Sequence, residues 1–225
     1  CAAVVAYVEG ETLPQRVARA GPFPVPAVVR DTAAIAGALA KAPRAGVVHR
    51  DIKPENILLT DGHAMVMDFG VAKAVTAAGH EGMTTAGMSL GTPAYMAPEQ
   101  VAADPRLDHR ADLYSLGLVA YEMLAGGSPY SAITPQQQMA AHVTQQPSPI
   151  LTRRPDCPPA LAEVVMRCRA KSPAERWQTA DEIDGRLGDG DLMATERPAR
   201  GKRRRGLAAG TGGRRVSGGG LRVRR

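Results

Sequence analysis

His49-Arg50-Asp51-Ile52-Lys53-Pro54-Glu55-Asn56 decides the reading of this chain, together with Asp68-Phe69-Gly70, which begins twelve residues after Asn56, and Ala97-Pro98-Glu99 further on. Any one of the three runs alone is weak, since a lone Asp-Phe-Gly is most simply a polar turn with a solvated aspartate. The three in this order and spacing form a constellation that chance does not supply. Asn56 and Asp68 carry oxygen ligands of the kind Mg²⁺ prefers, and Asp51 and Lys53 add an acceptor and a cation. Around the first run, residues 47–67 are short apolar stretches broken by polar loops, which predicts small strands flanking a functional loop. Residues 68–97 are rich in Gly, Thr, Ala and Met with weak periodicity, the pattern of a long exposed segment.

Beyond His109 the pattern turns helical. Leu113, Leu116, Gly117, Val119, Ala120, Met123 and Leu124 make a helix apolar nearly all round, which predicts a buried central one. Further helices are predicted over residues 135–143, 159–168 and 179–187. Towards the N-terminus, Ala3-Val4-Val5-Ala6-Tyr7-Val8 reads as a strand that Glu9-Gly10-Glu11 ends in a turn. Thr12 suits the cap of a short helix. Pro26 suits the first turn of a longer one running through Val28, Val29, Ala33, Ile35, Ala36 and Leu39. Pro43 would bend that helix or end it early, and Gly46 follows. No internal repeat occurs.

At 225 residues, 44% of them apolar, the chain has enough to bury a core. Cys1, Cys157 and Cys168 show neither a metal-ligand spacing nor a disulfide framework, and read as small apolar residues in a reducing cytoplasm. There is no apolar run long enough to span a membrane, and the opening residues do not resemble a secretory signal. The net charge of +6 is uneven: residues 197–225 hold eleven Lys/Arg and no acid, and the seventeen basic residues that remain against 22 acidic ones leave residues 1–196 at −5. The basic balance thus belongs to the tail, and no specific nucleic acid is expected as a partner. From Gly188 the composition collapses to Gly, Arg and small residues, including Lys202-Arg203-Arg204-Arg205, and a disordered tail is expected. A contact with an anionic surface is the sharper reading of that tail. A solvated linker or an out-of-frame translation is the one adopted.

The three runs match the protein-kinase signature set, and residues 1 to about 187 resemble a bacterial, eukaryotic-like serine/threonine protein kinase. The resemblance implies an α+β protein kinase-like fold, a mostly helical C-terminal lobe with short β-hairpins around the catalytic loop. Residues 1–10 would be the end of an N-lobe strand and the hinge, 11–187 the C-terminal lobe, and 188–225 the basic tail. It implies transfer of the γ-phosphate of ATP to Ser/Thr hydroxyls of protein substrates, with ATP and Mg²⁺ required. Such a transfer needs positioning and charge neutralisation more than covalent help. Asp51 would orient the acceptor hydroxyl, Lys53 would offset charge on the phosphate, and Asn56 and Asp68 would hold the metal. Lys53 also resembles the Ser/Thr branch of the family. The backbone of Ala6 and Val8 would face the adenine, with Val5 as gatekeeper and Leu58 as the floor beneath the ring. His49 and Phe69 resemble members of a stacked spine, Thr92 a threonine that hydrogen-bonds the catalytic Asp and Lys, Asp112 the anchor of the catalytic loop, and Arg176 the partner of Glu99. Arg50 would gather a phosphate on the activation segment. The segment offers Thr76, Thr84, Thr85 and Ser89, and Thr85, six residues before Gly91, is the first choice.

Within residues 1–225 there is no glycine-rich phosphate loop, third-strand lysine or helix-C glutamate, and the chain starts at Cys1. The expectation is an N-terminally truncated chain, weak or inactive alone, because losing even one preorganised charge partner often costs on the order of 10² to 10³ in rate. Self-association for autophosphorylation is compatible with the resemblance, and membrane attachment would come only from regions outside this sequence. A cytoplasmic location follows, although relatives are often membrane-anchored. Arg169 stands where relatives usually bury an aliphatic residue and is expected to snorkel to solvent. Two other readings compete. A non-catalytic, kinase-derived binding module would have no need of intact Asp51, Lys53, Asn56 and Asp68. A small-molecule phosphotransferase would generally lack the segment from Asp-Phe-Gly to Ala-Pro-Glu.

Overall fold

Prolines and small capping residues set most of the element boundaries. The computed structural model describes residues 8–42, 47–60, 62–68, 92–130 and 134–188. A two-residue strand β1 (Glu11–Thr12) leads into helix α1 (Leu13–Ala20), whose entry is fixed by Gln15 Oε1 accepting the Thr12 N–H at 2.8 Å. Helix α2 (Val25–Lys41) carries Pro26 in its first turn and stops two residues before Pro43. A 3-10 turn (Pro54–Asn56) precedes the hairpin β2 (Ile57–Thr60) and β3 (His63–Val66). After a second such turn (Pro93–Tyr95) come α3 (Pro98–Val101), α4 (Arg110–Ala125), α5 (Pro135–Thr144), α6 (Ile150–Arg153), α7 (Pro159–Cys168), a 3-10 turn (Pro173–Glu175) and α8 (Ala180–Gly188).

The sheet is antiparallel in the order β1-β2-β3, with Thr12 opposite Leu58 and Leu58 opposite Met65. Strand β1 corrects the expected turn at Glu9-Gly10-Glu11. Its pairing depends on a close approach that glycine alone permits, since a Cβ on Gly10 would lie 2.6 Å from the Leu59 carbonyl oxygen.

Helix α4 is the centre of the fold: every residue from Ala111 to Tyr121 is buried, as its all-round apolar surface predicts. It stops at Gly126 in the left-handed region (φ 73°), whose N–H donates to the Glu122 carbonyl, a standard use of glycine after a helix. Helices α2 and α7 pack on α4, and α8 and β3 pack on α2. At the α4–α7 crossing a Cβ on Gly117 would stand 2.5 Å from the Cβ of Cys168. The helices expected at 135–143, 159–168 and 179–187 occur at Pro135–Thr144, Pro159–Cys168 and Ala180–Gly188, and α3 and α6 are additional short ones. No helix among the described residues is long and apolar enough to cross a membrane.

Arg169 corrects its expectation. It does not snorkel: it is 1% exposed, its guanidinium lies 4.3 Å above the Tyr121 ring, and its Nε and Nη2 have no hydrogen-bond partner among the described residues. Residue 169 directly follows α7 where that helix crosses α4, so its Cγ sits against Gly117 and the side chain is held inside. Residues 3–7 of the expected strand, Pro43, Gly46 and the tail beyond 188 lie outside the described residues.

Candidate active site

The loop carrying Asp51 hangs from a buried carboxylate. Asp112, in the first turn of α4, accepts the backbone N–H of His49 through Oδ2 and that of Arg50 through Oδ1, each at 2.8 Å. Burial pushes the Asp112 carboxyl above the usual carboxylate range, and the two donated hydrogen bonds pull the other way. A buried carboxylate needs such partners to offset its desolvation. The His49 ring fastens the loop from the other side: Nε2 lies 3.0 Å from the Met67 carbonyl oxygen and Nδ1 accepts the Asp51 N–H at 3.3 Å. This is the hydrogen-bonding pattern of a neutral imidazole that carries its proton on Nε2.

Two side chains converge on Asp51. Lys53 Nζ is 2.8 Å from Asp51 Oδ2, and Asn56 Nδ2 donates to the same oxygen at 3.0 Å and to the Asp51 carbonyl at 2.8 Å. The 3-10 turn Pro54–Asn56 makes the convergence possible by folding the chain back on itself, with the Asn56 N–H bonded to the Lys53 carbonyl. Met67 N–H donates to the Asn56 carbonyl at 2.9 Å, so Met67 is stitched to both ends of the loop and brings Asp68 next in chain. Arg50 (φ 65°) and Asp68 (φ 62°) both adopt left-handed backbone, a conformation that costs a non-glycine residue on the order of 1 kcal/mol or more and gathers at functional sites.

With Nδ2 committed to Asp51, the Asn56 amide turns its oxygen away from that carboxylate, and Asp68 is exposed. Two oxygen donors suit Mg²⁺, which normally completes its shell with phosphate oxygens and water rather than with a protein cage. No group of three or more His, Cys, Asp or Glu able to hold a metal occurs among the described residues.

Segment 92–96 walls the depression beside Asp51, which is lined by Arg50, Asp51, Ile52, Thr92, Tyr95 and Met96. Thr92 reaches this wall, but no hydrogen bond joins its side chain to Asp51 or Lys53 among the described residues. Glu99 and Arg176 form a two-pronged ion pair at 2.6 and 2.7 Å, with Arg176 fully buried and also donating to the Ala170, Arg110 and Lys171 carbonyls. Leu58 is buried in β2 beneath Gly10, while Val8 is exposed. Arg50 is exposed as well. Ala6, Val5, Phe69, Thr76, Thr84, Thr85 and Ser89 lie outside the described residues.

Three contributors were missed by sequence reasoning. Gln100 in α3 accepts the Ala97 N–H and donates to the Arg50 carbonyl at 2.9 Å, and a Gln two residues after Pro98, in the place of a capping-box residue, was its only signal. Ser115 Oγ donates to the Tyr95 carbonyl at 2.7 Å, and the Tyr95 hydroxyl donates to Glu122 at 2.5 Å. Burial drives the Tyr95 hydroxyl upward in pKa, and it also raises the Glu122 carboxyl, against which the bond from Tyr95 acts.

Residues 2–184 match the protein kinase domain family. Among curated proteins the chain is similar to the serine/threonine-protein kinase pkn3 of Myxococcus xanthus, at 38% identity over 80% of this chain and 34% of the relative. It is similar to PknL of Mycobacterium tuberculosis at 41% identity, over 79% of this chain and 44% of the relative. For PknB of Mycolicibacterium smegmatis the figures are 38%, 80% and 29%. The chain therefore spans less than half the length of each of these relatives. From the fold around α4, the Asp51 loop and these matches, the chain belongs to the protein kinase family, with serine/threonine kinases of bacteria as its relatives.

Proposed function

We propose that this chain is the catalytic lobe of a serine/threonine protein kinase that moves the γ-phosphate of ATP to a protein Ser or Thr hydroxyl. The observation that supports it most is the convergence of Lys53 and Asn56 on one oxygen of Asp51, in a loop suspended from buried Asp112. The Asp51 carboxylate accepts the hydrogen bond of the acceptor hydroxyl, and takes its proton as the new O–P bond forms and the bond from phosphorus to the ADP oxygen breaks. Lys53, already paired with a carboxylate, is positioned to exchange that partner for the phosphate oxygens and offset their charge. Asn56 and Asp68 would hold Mg²⁺, which when bound neutralises phosphate charge and orients the leaving group. Leu58 and the backbone of Ala6 and Val8 would receive the adenine. Arg50, exposed at the loop, would gather a phosphate on Thr85 or Thr84. The relatives' names support protein substrates, and autophosphorylation would require two copies to meet.

The test joins residues 1–188 at the hinge to the ATP-binding lobe of PknB and measures phosphate transfer to myelin basic protein. Transfer is expected from the chimera, a loss on the order of 10² or more on Asp51→Asn, and little or none from the 225-residue chain alone. A folded chimera that transfers nothing, or one indifferent to Asp51→Asn, would overturn the reading and leave a docking module in its place.

A further inference from the structure

Helix α5 reaches the wall of the Asp51 depression through one buried side chain. His142 is 1% exposed. Its Nε2 lies 2.9 Å from the Ala94 carbonyl oxygen and its Nδ1 lies 2.9 Å from the Tyr114 hydroxyl. A carbonyl can only accept, so Nε2 carries the proton and Nδ1 accepts from Tyr114. Tyr114 comes from the rigid centre of α4, and its hydroxyl is 3.4 Å from that of Tyr130, to which Lys171 Nζ donates at 2.9 Å. Lys171 also donates to the Ala141 and His142 carbonyls. Both Tyr114 and Tyr130 meet the imidazole edge-on, at centroid distances of 5.8 and 4.9 Å. The ring is thus fixed in position, rotation and tautomer.

What it holds is one residue from the reactive surface. Ala94 sits in the 3-10 turn Pro93–Tyr95, between Thr92 and Tyr95, both of which line the depression with Asp51. The neighbouring Tyr95 carbonyl is held by Ser115 of α4. Two successive carbonyls of the wall are therefore gripped by two different helices, and an acceptor chain presenting its hydroxyl to Asp51 must lie against that wall.

We infer that His142 is a positioning residue for the polypeptide acceptor: through the Ala94 carbonyl it holds segment 92–96 in the shape that receives the chain around the target hydroxyl. The inference rests on the kinase reading above. Its charge state suits the role, because burial above all, with the cations of Lys171 and Arg169 helping, pushes its pKa down to about 4 against the opposing pull of the Ala94 and Pro93 carbonyls. The ring is neutral wherever a kinase works.

The test has two readouts. In the 225-residue chain, hydrogen exchange at the Tyr95 and Met96 amides is compared between wild type, His142→Ala and His142→Gln, a variant that can still donate to Ala94 and accept from Tyr114. Exchange about tenfold faster in His142→Ala, as expected for losing one hydrogen bond, with α4 amides unchanged and Gln near wild type, is the expected result. In the PknB chimera, His142→Ala should raise the KM for myelin basic protein about tenfold for the same lost bond, leave kcat and the KM for ATP within about twofold, and be rescued by Gln. Unchanged exchange overturns the inference. So does faster exchange throughout α4, or a parallel fall in kcat and both substrate affinities, since either marks a purely structural role. If the chimera carrying His142 transfers no phosphate, the kinase reading fails first, and the exchange result then speaks only to local structure, so the positioning role falls with it.

Discussion

Two arginines, seven residues apart, show how a partner decides what a buried charge is worth. Arg176 is fully buried and every arm is satisfied, by Glu99 and three carbonyls, with the Tyr114 ring 4.8 Å beneath it. Arg169 is as deeply buried, yet it has the Tyr121 face, the Tyr130 hydroxyl and a 3.6 Å contact from Nη1 to the Met166 sulfur in place of a carboxylate among the described residues. Burial lowers its pKa, but a guanidinium does not give up its proton in a protein, so the charge stays and its desolvation is poorly offset. Replacing an ill-compensated buried charge by an apolar side chain is often neutral or stabilising by about 1–4 kcal/mol, whereas removing one member of a satisfied pair costs about 3–5 kcal/mol. Arg169→Leu is therefore expected to raise the denaturant midpoint and Arg176→Met to lower it sharply. A loss of stability in Arg169→Leu would mean that Arg169 has a compensating partner. Sequence alone flagged residue 169 as unusual but sent it to solvent, because the preference of arginine for water is visible in sequence and the closure of α7 over α4 is not.

At the scale of elements, the α4–α7 crossing rests on the absence of a side chain at Gly117. A Cβ there would stand 2.5 Å from the Cys168 Cβ, 2.9 Å from the Arg169 Cγ and 3.3 Å from the Val165 carbonyl. Two of these belong to a Cβ and a backbone oxygen, which cannot swing aside, so α7 must move. Gly37 in α2 is the natural control, with nothing within 4 Å of its would-be Cβ. Both positions gain about 1 kcal/mol of helix propensity on becoming alanine, and overpacking takes back about 1–3 kcal/mol at Gly117 only. Gly37→Ala should raise the melting temperature and Gly117→Ala lower it; equal gains would disprove the tight crossing. Helices were legible where local chemistry marks them: Pro26 opens α2, Pro135 and Pro159 open α5 and α7, and apolar surface on every side announces α4. Strand β1 was not, because two residues carry no periodicity and their pairing depends on Leu58 and Leu59, far along the chain. The Asp51 loop was legible as a set of residue types, and the structure brings Lys53, Asn56 and Asp112 around it. The clamps on segment 92–96 were hidden, since Ser115, Glu122 and His142 are ordinary helix residues until the helices meet.

For the whole molecule, these buried polar contacts make stability depend on pH, and the signs differ from group to group. His142 is ordinarily half-protonated near 6.5 but titrates near 4 in the fold. Above about pH 6.5 it is neutral in both folded and unfolded chains, and its contribution is fully present. Between 6.5 and 4 the unfolded chain takes up a proton that the folded chain refuses, so stability falls, and the loss reaches about 3 kcal/mol once the pH is below the folded value. Asp112 and Glu122, raised by burial, act oppositely: the folded state holds their protons more tightly, and stability grows as pH falls from their folded values towards the ordinary carboxylate range. The paired Asp108, lowered by Arg110 against its own partial burial, adds a further loss only below that range. A single acid-denaturation curve mixes all of these, but the difference between wild type and His142→Gln removes what the two share. That difference is expected to be flat above pH 6.5 and to move in favour of the glutamine variant by about 3 kcal/mol between 6.5 and 4, read from urea midpoints at half-unit steps. A difference that stays flat throughout would mean that the folded protein protonates His142 freely. Burial between Tyr114, Lys171 and Arg169 would then not hold the ring neutral at acidic pH, and the grip on Ala94 would be confined to pH values above about 6.5.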